Sequence, residues 1–385
     1  MYRFGGSPDV GQSIFAVASS HMTFTKGMIA AAAAIALGAG GVAVAEAQGN
    51  HDGGHADVQA IIDGFTANGV PGAMVYTPRW SVSSGTGQVG YERPIRPRDR
   101  ARVASNTKMF VATTVLQLVG EGRVSLSAPI EDYLPGLVDG NGYDGTKITV
   151  HQLLQHTSGV ADYVEDVLAD PSAGDHTWQP ADLVALGLKH PPLFAPGQGW
   201  SYSNTGYIVL GMLIEKVTGH SVRDEITNRI IRPLGLTETS YPAAGDKQIR
   251  GPHVHGYFAF PGQPVTDFTE LEPSLPGSAA ALISTGPDLT KFVRALLSGR
   301  LLRPSLLAEM RDTVPADGGD YGLGLRRYSL PCGGEAWGHA GNMPGYDSFT
   351  AVTENGRAAF AVANEHQSDG RPADLRHAVE TALCE

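Results

Sequence analysis

Ser105 and Lys108 stand three residues apart at the head of an apolar run that extends from Met109 to Val119. On a helix that spacing puts both side chains on one face. Apolar residues recur all round the helical period, so the helix is predicted to be buried, with Gly120 and Gly122 ending it. Two polar groups on the first turn of a buried helix suggest chemistry. Burial lowers the pKa of a lysine ammonium, a neutral amine can take a serine proton, and a helix N-terminus favours a developing anion. A Ser-x-x-Lys match arises by chance about once per few hundred residues. Here only Lys108 has a serine three positions before it, but the pair needs partners elsewhere in the chain.

Two further stretches could supply them. Tyr202-Ser203-Asn204 follows the Pro196-Gly197 loop and precedes the apolar run Ile208 to Ile214. A phenol held beside a lysine ammonium can be lowered in pKa and serve as base or proton shuttle. The amide of Asn204 can bond both the lysine and a substrate carbonyl; the plain alternative is a surface tyrosine and a capping asparagine. Trp337-Gly338-His339-Ala340-Gly341-Asn342 is the other stretch. Glycine on a strand permits close approach of a substrate backbone, and His339 could then place a donor across the cleft. His156 is expected to cap a helix or bond locally. His51 and His55 lie in or beside a glycine-rich linker and are expected to be solvated. Nothing in the chain calls for a metal or cofactor.

The elements that must position these groups are readable in outline. A helix is predicted over 55–65, followed by strands at 73–76 and 80–84. Helices are predicted at 149–156, 180–190, 204–218, 221–232, 287–298 and 372–383. Strands return at 322–328, 346–352 and 358–363, the last two joined by Glu354-Asn355-Gly356-Arg357, where Asn-Gly favours a type I′ turn. The economical architecture is α/β of the α+β kind. An antiparallel sheet is built from both ends of the chain and flanked by helices, with an all-helical lobe beside it. The sheet lobe would take 55–100 and 320–384, and the helical lobe about 101–319.

Charged residues make up 17% and apolar residues 42% of the 385 positions, an ordinary globular balance. The net charge of −11 argues against a nucleic-acid partner. From Met22, a short basic stretch, an alanine-rich apolar core and Ala45-Glu46-Ala47 read as a secretory signal cut after Ala47, leaving a mobile linker at 48–54 and no membrane anchor. Residues 1–21 lie upstream of that pattern and suggest that Met22 is the true start. An exported chain can oxidise its two cysteines, Cys332 and Cys384, although two free thiols are the alternative. A bridge would add about 4 kcal/mol on a loop-entropy estimate.

Taken together, Ser105-x-x-Lys108, Tyr202-Ser203-Asn204 and His339-Ala340-Gly341 resemble the three active-site boxes of the serine penicillin-recognising enzymes. That group contains class C β-lactamases, DD-carboxypeptidases and related esterases and aminopeptidases. The resemblance extends from about residue 55 to 384 and is strongest to the secreted actinomycete serine DD-carboxypeptidase/transpeptidases, through stretches such as Tyr133-Leu134-Pro135-Gly136-Leu137 and Tyr321-Gly322-Leu323-Gly324-Leu325-Arg326-Arg327. It implies the same sheet-plus-helical-lobe fold, a Cys332–Cys384 disulfide, and an acyl-enzyme on Ser105 with Lys108 as proton acceptor. It further implies that Tyr202 shuttles the proton, Asn204 holds the substrate amide and His339 replaces the lysine of the usual Lys-Thr-Gly box. The Ser105 and Asn342 amides would form the oxyanion hole, and Arg326 would receive a substrate carboxylate. Threonines of the pattern are replaced by Ala340 and Asn342, and two pocket aromatics by Leu168 and Leu275. Losing the hydroxyl at Ala340 would cost about 1 kcal/mol of carboxylate binding. The expectation is a secreted DD-carboxypeptidase acting on peptidoglycan peptides and acylated by β-lactams. Alternatives are an esterase, a D-amino-acid amidase or aminopeptidase, or a β-lactamase using the same machinery on another small acyl substrate. A non-catalytic wall-fragment binder would be expected to lack Ser105, Lys108 or Tyr202.

Overall fold

The computed structural model describes residues 55–170, 172–259, 263–364 and 374–385. The signal peptide expected over 22–47, its expected cleavage point and the 48–54 linker lie outside the described residues. Among the described residues, no helix is long and apolar enough to cross a membrane.

Seven antiparallel strands form the central sheet: β1 (Gly72–Tyr76), β2 (Ser81–Gly85), β3 (Asp320–Tyr321), β4 (Arg326–Ser329), β5 (Glu335–Met343), β6 (Tyr346–Thr353) and β7 (Ala358–Ala363). Their spatial order is β2-β1-β7-β6-β5-β4-β3. N-terminal β1 therefore docks on C-terminal β7, with Ala73 opposite Ala363 and Tyr76 opposite Phe360. Every residue of β6 and β7 is buried, because helices cover both faces of the sheet.

One face carries α1 (Ala56–Ala67) and α6 (Leu375–Cys384) over a small core of Val58, Ile62, Val75, Ala361 and Val379. Alanines along β7 leave room for these helices. The Cys332–Cys384 disulfide, with Cα atoms 5.7 Å apart, pins α6 to the turn between β4 and β5. The other face carries α5 (Gly286–Leu297) and the larger core, which continues into the helices between β2 and β3. At its centre are α2 (Thr107–Gly120) and α4 (Asn204–Thr218), with α3 (Val150–Gln155) against α4. Nearly all of α2 is buried, as an apolar residue at every helical angle demands.

Two local expectations change. Of the strand read over 322–328, only 326–328 is strand, within β4; residues 322–325 form the turn from β3, closed by Gly322 N–H donating to the Leu325 carbonyl at 2.8 Å. Gly324 has φ +70°, and a Cβ there would lie 2.5 Å from Ala112 Cβ and 2.9 Å from the Lys108 carbonyl. The break thus seats the turn directly on α2. The β6–β7 turn is not type I′, because Gly356 alone of its two central residues has positive φ, at 84°. Asn355 instead accepts a hydrogen bond from the Thr353 hydroxyl at 2.5 Å, and Gly356 supplies the left-handed residue of a bulged turn.

Candidate active site

Ser105 sits on a 3₁₀ turn, Ala104–Asn106, that leads into α2. Ala104 has φ +45°, a left-handed conformation that costs a non-glycine residue about 1–3 kcal/mol and persists only where the surroundings impose it. The surroundings are dense. Thr107 Oγ1 donates to the Ala104 carbonyl at 2.7 Å and accepts from Leu282 N–H at 3.1 Å. Buried Asn106 donates from Nδ2 to the Val103 carbonyl and to Ser348 Oγ, each at 3.1 Å. A Cβ at Gly341 would stand 2.3 Å from the Val103 carbonyl. Glycine is therefore needed at 341 for β5 to close on the chain's own turn. Ser105 is half-exposed among buried neighbours, so its hydroxyl is reachable.

Lys108 is fully buried, and its Nζ has three oxygen neighbours. These are Asn204 Oδ1 at 2.7 Å, the Ala279 carbonyl at 3.1 Å and Ser105 Oγ at 3.2 Å. The first two can only accept. A neutral amine satisfies both with its two N–H groups and still turns its lone pair to the Ser105 hydroxyl. Burial lowers the Lys108 pKa to about 7; Asp162 acts against that shift and Arg326 adds to it. Asp162 was not legible in the sequence, because a single carboxylate in a loop has no informative spacing. Its Oδ2 accepts from Asn204 Nδ2 at 2.8 Å and from Asn204 N–H at 3.2 Å, and its Oδ1 accepts from Val164 N–H at 3.1 Å. Removal from water raises the Asp162 pKa while these donors and Lys108 oppose the rise. One N–H of the Asn204 amide is thus spent on Asp162, leaving one for a substrate.

The Tyr202 ring lies 4.6 Å from Lys108 Nζ, and Ser105 is among the groups that act on its phenol. Burial pushes the Tyr202 pKa well above its ordinary value. The lowered phenol expected beside an ammonium does not occur, because the site removes water from the phenolate and Lys108 meets the ring face. Behind Tyr202 lies an aromatic layer. His156 caps α3 at φ +64°; its Nδ1 accepts from Ser203 N–H at 3.1 Å, and its Nε2 is 3.1 Å from Tyr321 Oη. Tyr321 Oη is in turn 3.0 Å from His339 Nε2. His339 Nδ1 bonds the Ala340 carbonyl, so both ring nitrogens are engaged. Burial first, then the charges of Lys108 and Arg326, hold both histidines well below their ordinary pKa. His339 is therefore neutral and turned to Tyr321, in contrast to the donor across the cleft expected from the sequence.

Arg326 ends β4 with Nη1 donating to the carbonyls of Asp317 and Gly319, at 2.5 and 2.9 Å. Its guanidinium lies 4.9 Å from the Tyr321 ring and 5.5 Å from that of Trp200. The β4–β5 pairing stops at Gly338, so the β5 edge from His339 onward has no strand beside it. The Ser105 turn packs there, with Val103 and Asn106 against Gly341, while the Asn342 side chain bonds Asp347 across to β6. Ala340 packs against the α1/α6 core opposite Phe349. Strand alternation sends its methyl to the sheet face opposite His339. Leu275 packs on the larger core just ahead of the short helix Gly277–Ala280, whose Ala279 carbonyl faces Lys108. Leu168 ends the helix Val164–Leu168 that follows Asp162 and is half-buried. A separate 810 Å³ cleft, lined by Lys291, Arg294, Trp337 and Glu354 among others, contains none of these residues.

Known proteins bear directly on this geometry. A D-stereospecific amidohydrolase from Streptomyces sp. superposes with a TM-score of 0.79 at 41% identity, over 86% of this chain and 98% of that one. The D-amino acid amidase from Ochrobactrum anthropi SV3, complexed with L-phenylalanine amide, gives 0.74 at 30% identity, over 85% and 96%. The putative penicillin-binding protein PbpX of Bacillus subtilis (strain 168) is 27% identical over 294 residues, 73% of this chain, which spans only 66% of that relative's length. Residues 22–383 match the Beta-lactamase family. The chain belongs to that family and is a serine hydrolase of the β-lactamase and penicillin-binding-protein kind.

Proposed function

We propose that the protein is an amidohydrolase that forms an acyl-enzyme on Ser105 from short amides or peptides with a D-configured residue at the scissile carbonyl. The observation that carries the chemistry is the Lys108 amine, fully buried, with two acceptor-only partners and its third direction on Ser105 Oγ. Neutral Lys108 takes the Ser105 proton as Oγ attacks the carbonyl carbon. The C–N bond then breaks, and the proton passes from the Lys108 ammonium through the Tyr202 hydroxyl to the leaving amine. A water, deprotonated by the same amine, hydrolyses the ester and restores Ser105. The Ser105 and Asn342 amides are the candidate donors to the tetrahedral oxyanion. Support for D-configuration comes from the likeness to the two D-specific enzymes over nearly their whole length.

A second reading, a DD-carboxypeptidase on peptidoglycan peptides, draws on the Arg326 charge beside the site. Against it, that guanidinium already serves two backbone carbonyls. Export through a signal at 22–47, supported by the disulfide, fits either substrate.

The test is parallel hydrolysis of D- and L-phenylalanine amide and acyl-D-Ala-D-Ala, with intact-mass measurement after penicillin. Preference for the D-amide, a penicillin adduct, and a loss of about 10⁴-fold or more in Ser105→Ala are expected. D-alanine release exceeding amide turnover would install the second reading, and equal use of both enantiomers would sink the D-specific one.

A further inference from the structure

The hydrogen bonds around His156, Tyr321 and His339 can be given directions, because each end is fixed by a backbone group. Ser203 N–H can only donate, so His156 Nδ1 carries a lone pair, and a neutral His156 bears its proton on Nε2. That proton points to Tyr321 Oη at 3.1 Å. At the other end, the Ala340 carbonyl can only accept, so His339 bears its proton on Nδ1 and presents a bare Nε2. Tyr321 Oη, 3.0 Å away, must then donate to it. The chain runs one way: His156 Nε2–H to Tyr321 O–H to His339 Nε2. It closes only if the two histidines are opposite tautomers and both neutral. All three side chains are nearly or wholly buried: Tyr321 is 0%, His156 1% and His339 2% exposed.

We infer that Tyr321 is a positioning residue of the acyl-transfer site. By capping the one free lone pair of His339, it keeps that ring neutral and fixed beside Tyr202, whose ring centroid is 6.3 Å from it. Through His156 it also braces the Ser203 backbone between Tyr202 and Asn204. The inference rests on the reading that Lys108 is the base. A second protonatable group beside Lys108 would compete for the same proton, and Tyr321 removes that competitor. Other groups facing the pair are Lys108 and Arg326, both of which oppose a charge on His339, and Tyr202 and Tyr207, whose rings lie against His156.

The test is long-range ¹H–¹⁵N correlation of the histidine rings in the full chain from pH 5 to 9, assigned with His156→Gln and His339→Gln. Two neutral, non-titrating rings are expected, His156 as the Nε2–H and His339 as the Nδ1–H tautomer. In Tyr321→Phe, Nδ1–H still faces the Ala340 carbonyl but Nε2 is left bare, so His339 should take a proton there and titrate. The acid limb of log kcat/KM should steepen from a slope of one toward two, with kcat/KM lowered about ten- to hundredfold. A wild-type His339 that is Nε2–H, or that titrates between pH 5 and 8, overturns the inference even if Tyr321→Phe fails to fold. An unchanged slope and a His339 that still does not titrate in folded Tyr321→Phe overturn it as well. The tautomers in Ser105→Ala should match wild type, so failure of the acyl-enzyme reading would appear in activity and leave the ring spectra untouched.

Discussion

Arg102 and Lys108 are buried cations on the same short stretch of chain, 1% and 0% exposed, and they have opposite fates. The Arg102 guanidinium donates from Nε to the Thr269 carbonyl at 3.0 Å and from Nη2 to the Lys247 carbonyl at 2.6 Å. Burial lowers its pKa while Tyr346, Asp246, Glu270 and Glu272 oppose that; an arginine so placed stays charged and works as a cross-tie. Lys108 also meets two acceptors, but its third neighbour is a hydroxyl with a proton to give. Burial alone therefore does not make a base. A residue able to lose its proton is needed, together with one acceptor fewer than the ammonium has N–H groups.

Substituting each cation tests the contrast. Lys108→Arg keeps the charge and cannot be deprotonated, so kcat should fall about 10²- to 10⁴-fold while circular dichroism stays native. If activity survives, Lys108 is another cross-tie. Arg102→Met should do the reverse. It leaves two buried carbonyls without donors and costs about 2–4 kcal/mol in urea unfolding, with kcat/KM of the folded protein unchanged. Loss of activity without loss of stability would place Arg102 in the site. The smallest effect is expected from Asp162→Asn. Wild-type kcat/KM should rise through pH about 7 as Lys108 loses its proton. Asp162 raises that pKa, so its removal should move the acid limb to lower pH, and reversing one hydrogen bond of about 1 kcal/mol to Asn204 should lower kcat about fivefold. A limb that moves upward contradicts the assignment.

Local spacing made Ser105, Lys108 and the Tyr202–Asn204 loop legible, because two polar residues three positions apart and a cap before an apolar run are patterns within a few positions. The antiparallel sheet from both ends was readable from alternating and β-branched runs in the same way. Asp162, His156 and Tyr321 became functional candidates only through contacts between segments distant in the chain. No period links His156 to Tyr321, and Tyr321 looked like the edge of one continuous strand. Ala340 is a different case. Period two already sets residue 340 on the face opposite His339, where it meets the α1/α6 core. The His339 reading lacked a partner: a histidine between Gly338 and Ala340 says nothing about which groups occupy its nitrogens.

The pairing of β1 with β7 sets the timing of this enzyme during its synthesis. As the chain emerges N-terminus first, Ser105 and Lys108 appear early, on a helix whose whole surface needs covering. The strand that closes on the Ser105 turn, β5, and the strand that anchors β1, β7, come last. Pairings between such distant segments form slowly. A growing chain thus carries the nucleophile long before it has the wall that makes a cleft. The wall of the cleft is complete only once β5 and β7 have been made and have docked.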